Sequence, residues 1–210
     1  MLRRLLQLYI GLVLYGVSTA LFVHANLGAD PWDVFHLGVA KQLGISFGTV
    51  IILTGAAVLL LWIPIRQMPG LGTVSNVIVL GLAADATLAV LPPLESMVAR
   101  SALLVGAIVL NAIATGMYIG AGMYIGAGFG PGPRDGLMTG LHARTGWSLR
   151  GIRTAIELSV LLIGWLLGGK FGVGTVIYAL SIGPLIQLCL PWFSQPVSRN
   201  SVSPPREIVS

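Results

Sequence analysis

The chain alternates long apolar runs with short polar interruptions. Six runs approach or exceed the roughly 20 residues that a membrane-crossing helix needs: about 5–25, 45–63, 72–91, 99–122, 147–168 and 173–192. After the first comes "GADPWD" at 28–33, and after the fourth comes "GPGPRD" at 130–135. Each break opens a segment of about a dozen residues, closed by Gly44 or Gly146 and too short to span. Pro31 and Pro133 suit the first position of a helix, where a missing N–H costs nothing. Asp30 is placed as an N-cap, with Asp33 near the positive end of the helix dipole. A closing glycine suits a C-cap. The pattern predicts short helices over 31–43 and 133–145.

Displacing the sequence on itself by 102 residues lays 20–85 on 122–187 without a gap, and 15 of the 66 pairs are identical. They include Ala25/Ala127, Gly28/Gly130, Pro31/Pro133, Asp33/Asp135, Gly38/Gly140, Gly44/Gly146 and Ser46/Ser148, and "GLGTV" at 70–74 meets "GVGTV" at 172–176. Apolar composition explains matched Val and Leu but not matched Gly, Pro, Asp and Ser. The chain is duplicated. Three spans per copy is an odd number, so the second copy enters the membrane from the opposite side, as in many transporters built on inverted repeats. The expected fold is an all-α integral membrane protein with six transmembrane helices in two inverted-topology repeats of three. Residues 1–93 form the first repeat, 94–194 the second, and 195–210, rich in Ser and Pro, a disordered cytoplasmic tail. Within "GMYIGAGMYIGAG" (116–128), the spacings Gly116/Gly120 and Gly122/Gly126 suit close helix packing.

Composition agrees with the membrane reading. Hydrophobic residues make up 55% of the chain, charged ones 9%, and the mean hydropathy is +0.89, whereas soluble domains carry about 25% charged residues. The net charge of +5 comes from scattered bases rather than a stripe, which argues against nucleic acid. It reads instead as topology. With the N-terminus inside, Arg3, Arg4, Arg66, Arg134, Arg144, Arg150, Arg153, Arg199 and Arg206 fall on the cytoplasmic side, and Lys41, Arg100 and Lys170 outside. Nine against three is a positive-inside bias that puts both termini in the cytoplasm. Arg3 and Arg4 before an apolar run could mark a signal peptide, but the run is long and has a counterpart at 99–122. Cys189 is the lone cysteine, read as a small packing residue.

The two short helices admit two readings. They lie flat at the interface, with Asp33 and Asp135 as ordinary caps, or they re-enter from opposite faces so that their N-termini converge. In the second case free N–H groups hold a polar or anionic ligand, on backbone tolerated only where it is buried or lines a cavity. The candidate solute-binding residues are Asp30, Asp33, Arg134, Asp135, His24 and Asn26, with Arg134 the preferred anion contact. An ionisable group inside a bilayer costs on the order of 3 kcal/mol or more and is a functional candidate. Glu157, about ten residues into its span, is therefore the leading coupling residue. It sits opposite Gly55, with Arg153 one turn earlier. Asp85, opposite Gln187, is the third. Each keeps a bland alternative: a neutralised pair for Arg153 and Glu157, an interfacial position for Asp85, and packing for His24. Asn76 and Asn111 read as interhelical hydrogen-bond glue. No phosphate loop, zincin helix or nucleophile elbow occurs, and three scattered histidines with one cysteine make no metal site. No catalytic residue, cofactor or metal is expected.

At "GADPWDVFHLGVA", "GISFGTV" and "GPGPRDGLMTG" the chain resembles the YczE/YitT-type family of small bacterial integral membrane proteins, over most of residues 5–192. The resemblance implies the bacterial inner membrane and marks Pro31, Asp33, Arg134 and Asp135 as signature positions. Family members encoded beside MocR-type regulators imply a link to vitamin B6. The leading expectation is a transporter or permease for a small polar or anionic solute, not an enzyme. Its partners are the lipid bilayer and that solute, and homo-oligomerisation stays open. A membrane scaffold and a passive channel are the alternatives.

Overall fold

The computed structural model describes residues 2–122 and 129–193. Gly126 and Gly128, which replace His24 and Asn26 in the second copy, lie outside the described residues, as does the tail at 195–210. The described residues form eight helices and no strand: α1 (Leu2–Ala25), α2 (Pro31–Leu43), α3 (Phe47–Ile65), α4 (Leu71–Val90), α5 (Met97–Gly122), α6 (Pro133–Thr145), α7 (Leu149–Leu166) and α8 (Val173–Phe193). Five are long and apolar enough to cross a membrane: α1, α3, α4, α5 and α8. Helix α7 has 18 residues and carries Arg150, Arg153 and Glu157.

The short helices start and stop where the caps require. Asp30 accepts the Asp33 N–H at 2.7 Å, and Gly44 closes α2 in the left-handed conformation. Helix α6 starts at Gly132 without a side-chain cap and ends on Gly146, also left-handed.

Helices α1 and α5 pack along each other at the centre. Helix α4 lies on α1 and α8 on α5, while α2 packs on α7 and α6 on α3. In lipid, helix association rests on close packing and interhelical hydrogen bonds rather than on hydrophobic transfer. Glycines accordingly mark the crossings. A side chain on Gly16 would strike Leu80 and Ala83 of α4, and one on Gly38 would strike Gly164 of α7 and Leu167 just past its end. Asn111 of α5 donates to Ser18 of α1 at 2.9 Å, a buried polar tie between the two central helices.

Contacts recur at positions 102 apart. The Leu27 carbonyl accepts from the Gly174 N–H at 2.9 Å, and its counterpart, the Phe129 carbonyl, accepts from the Thr73 N–H, one residue beyond the matched place, at 3.1 Å. Gly28 (φ 112°) and Gly130 (φ 73°) hold the same place in each copy. A Cβ on Gly28 would meet Gly172 and Thr175, and one on Gly130 would meet Gly70 and Thr73. Both the left-handed backbone and the crowding demand glycine. Each break thus docks on the first turn of the last helix of the other half.

Candidate functional site

This cross-docking brings the starts of α2 and α6 together over a cavity of about 370 Å³, within the usual range for small-ligand sites. Arg134, the second residue of α6, reaches Asp30, the cap of α2, at 3.5 Å. Its guanidinium also lies over the Trp32 ring, 4.7 Å from the centroid. Trp32 and Arg134 occupy the same position of the two copies, so one copy supplies the ring and the other the cation.

The walls are built from matched positions with unlike chemistry. Asn76 answers Tyr178, His36 answers Met138, Ile51 answers Arg153 and Gly55 answers Glu157, and all eight line the cavity. Arg153 and Glu157 form the expected pair at 2.9 Å. Tyr15, Thr115 and Tyr118 complete the polar lining. The Trp32 indole N–H, the Thr115 hydroxyl and the Tyr118 hydroxyl are buried without a hydrogen-bond partner. Such groups cost free energy unless something satisfies them.

The two signature aspartates differ. Asp33 is buried behind the cavity: its Oδ1 lies 3.3 Å from His36 Nδ1, and its Oδ2 has no partner. Burial pushes the Asp33 carboxyl up to about 7, opposed by Arg134. Burial likewise holds His36 down to about 3, with Arg134 adding to the effect. Asp30 is raised by burial and then by Asp33. Asp135 opens onto the cavity.

Of the residues expected to form a site, Asp30, Arg134, Asp135, Arg153 and Glu157 line this cavity, with Asp33 just behind it. His24, Asn26 and Asp85 do not. His24 Nε2 lies 2.7 Å from the Pro92 carbonyl. Asn26 accepts from Lys170, and its backbone carbonyl accepts from Arg100. Asp85 accepts from the Ser46 hydroxyl at 2.5 Å and the Gly48 N–H at 2.6 Å, which ties α4 to the start of α3. Sequence reasoning missed Tyr15, Tyr118 and Tyr178. The available signal was a phenol within an apolar run, since a buried Tyr hydroxyl usually finds a partner.

A helical bundle of apolar spans, docked breaks and a polar internal cavity defines an integral membrane protein with a candidate small-molecule site. The chain belongs to a family of unknown function, DUF6198, whose model matches residues 2–191. It is similar to an "Uncharacterized protein" of Haemophilus influenzae, 37% identical over 183 residues, covering 87% of this chain and 81% of the relative. It is also similar to the "Uncharacterized membrane protein YczE" of Bacillus subtilis, 30% identical over 185 residues, covering 87% and 83%. The resemblance read from the PWD and GPRDGLM stretches is therefore to YczE-type membrane proteins. No solved structure matches the chain.

Proposed function

We propose that the protein is a transporter for a small polar solute, a carrier rather than an enzyme, in a bacterial inner membrane with both termini cytoplasmic. Helices α2 and α6 are re-entrant half-helices entering from opposite faces, and α7 is the sixth span. The carrying observation is that the starts of two duplicated short helices meet, Arg134 against Asp30, over a polar cavity. A flat interfacial helix has no reason to reach its counterpart. Discontinuous helices meeting at the interface of inverted repeats are the usual construction of a carrier site.

A difference between the seams supports movement. Helix α3 packs on α4, whereas α7 has no comparable packing on α8. In the closed seam a Cβ on Gly48 would strike Gly81 and Asp85. Gly183, the counterpart of Gly81, has nothing within 4 Å. With the orientation given by the basic residues, the closed seam faces outward and the open one faces the cytoplasm. Transport then exchanges the two: α7 closes on α8 as α3 opens from α4.

Ser148 and Gln187 are the counterparts of Ser46 and Asp85, which touch across the closed seam. Cysteines at Ser148 and Gln187, in a Cys189→Ser background, are expected to form a disulfide under mild oxidation in membranes. That bridge should protect a third cysteine, at Gly183, from water-soluble thiol reagents. A rigid scaffold would leave both cysteines reduced, and that result would sink the alternating reading.

A further inference from the structure

The charges on the cavity wall do not balance. Arg134 is matched by Asp30 at 3.5 Å and Arg153 by Glu157 at 2.9 Å. Asp135 has no ion pair among the described residues, and no hydrogen bond reaches its carboxylate oxygens; Thr139 takes its backbone carbonyl instead. Yet Asp135 faces the cavity. The surplus is negative.

A second observation points to the same place. A Cβ on Gly132 would lie 3.3 Å from Asp135 Oδ2 and 3.5 Å from the Tyr118 hydroxyl, so the carboxylate and the phenol flank one glycine. That phenol is only 8% exposed and has no partner. The buried Thr115 hydroxyl, on the same helix and the same wall, is also without one.

Resting on the transporter reading, we propose that the transported solute carries an ammonium group, held by the Asp135 carboxylate with the Tyr118 and Thr115 hydroxyls as further acceptors. An ammonium has three donors and no acceptor, which this set of oxygens matches. A carboxylate or phosphate would meet the Asp135 carboxylate and, to pair with Arg134, would have to part it from Asp30 and from the Trp32 ring. The Trp32 indole N–H is a donor in search of an acceptor, so the solute also bears a neutral oxygen. The remaining wall, with Ile51, Val58, Val77 and Ile182, takes an apolar body. The solute class is a small amphiphilic amine with a hydroxyl or carbonyl.

Three probes of one shape separate the charges: phenylalaninol (ammonium and hydroxyl), 3-phenyllactate (carboxylate and hydroxyl) and 3-phenylpropane-1,2-diol (neutral). Binding to the full-length protein in detergent at neutral pH is followed by calorimetry and tryptophan fluorescence. Phenylalaninol is expected to bind at least about tenfold tighter than either analogue, and Asp135→Asn to remove about that factor. Asp135→Glu should restore most of it. Tighter binding of phenyllactate, or no phenylalaninol binding at ~10 mM, overturns the proposal, as does unchanged affinity in Asp135→Asn. If Asp135→Asn fails to fold, the ranking of the three probes on the wild-type protein decides. The disulfide between Ser148 and Gln187 positions does not depend on solute charge. Anion preference with that bridge intact would sink the ammonium and leave the carrier standing.

Discussion

Helix pairs α3/α4 and α7/α8 occupy stretches of sequence that match at a displacement of 102 residues, yet one is shut and the other parted. In the first, Asp85 gathers the Ser46 hydroxyl and the Gly48 N–H, and two glycines let the backbones touch. In the second, Asp85 has become Gln187 and Gly48 has become Arg150, which is exposed at the start of α7. Next to Gly183, Pro184 replaces Leu82 and cannot donate to the Leu180 carbonyl. Three substitutions thus remove the carboxylate acceptor, one close backbone contact and a helical hydrogen bond. The latch stands on one side alone. A carrier needs seams of this kind, similar enough to exchange and different enough to favour one state.

The sharpest way to break the comparison is at the half-helices. Val34 of α2 meets Gly164 of α7, and at the matched place Gly136 of α6 meets Trp62 of α3. Large and small have changed partners. Gly136→Val should destabilise the protein by about 3 kcal/mol, the upper end for overpacking. Adding Trp62→Gly recreates the Val/Gly pairing of the first copy and should recover part of that loss despite losing the Trp62 bond to the Pro133 carbonyl. Thermal unfolding in detergent measures both, and strict additivity would remove the claimed correspondence.

At the seams, Gly48→Val should cost roughly 2 kcal/mol because its side chain would strike Gly81. Gly183→Val should fold normally, because open space surrounds it, yet block the disulfide between cysteines at 148 and 187. Equal destabilisation by the two valines would mean that the seams do not differ.

Asp85→Ala leaves a hydroxyl and a backbone N–H without their acceptor, so a loss of about 2 kcal/mol is expected. Gln187→Ala, which removes a side chain that lines the cavity and makes no hydrogen bond among the described residues, should change stability by less than about 0.5 kcal/mol. Reagent access to a cysteine at Thr49 should rise in Asp85→Ala and stay unchanged in Gln187→Ala.

The smallest effect belongs to Arg153 and Glu157, which are 61% and 33% exposed. Such a pair is worth up to about 1 kcal/mol, so Arg153→Leu with Glu157→Leu should fold with a near-normal melting temperature. If Glu157 carries a proton during transport, this double variant and Glu157→Gln both lose proton-linked uptake. Full uptake by the double variant would make the pair structural.

The sequence by itself determined the helices and their ends. Apolar runs of spanning length, Asp30-Pro31 and Gly132-Pro133 as helix starts, and Gly44 and Gly146 as stops are local physics, and the structure begins and ends α2 and α6 there. Matched Gly, Pro and Asp revealed the duplication for the same reason, because backbone conformation at those positions admits few residues. The pairing of Arg153 with Glu157 was also local, one helical turn apart. Only the tertiary structure decided what the breaks are near. It placed Asp33 and Asp135, which hold matched positions of the two copies, in opposite surroundings, one walled in and one open to the cavity. It gave Arg134 to Asp30, about a hundred residues away in the chain, and so turned the expected anion contact into half of a neutral pair. It sent Asp85 to a latch and gathered three tyrosines that no local pattern connects. Long-range charge pairing and cavity shape depend on which helix faces cross, and those crossings are settled by side-chain volumes summed over both halves rather than by any one segment.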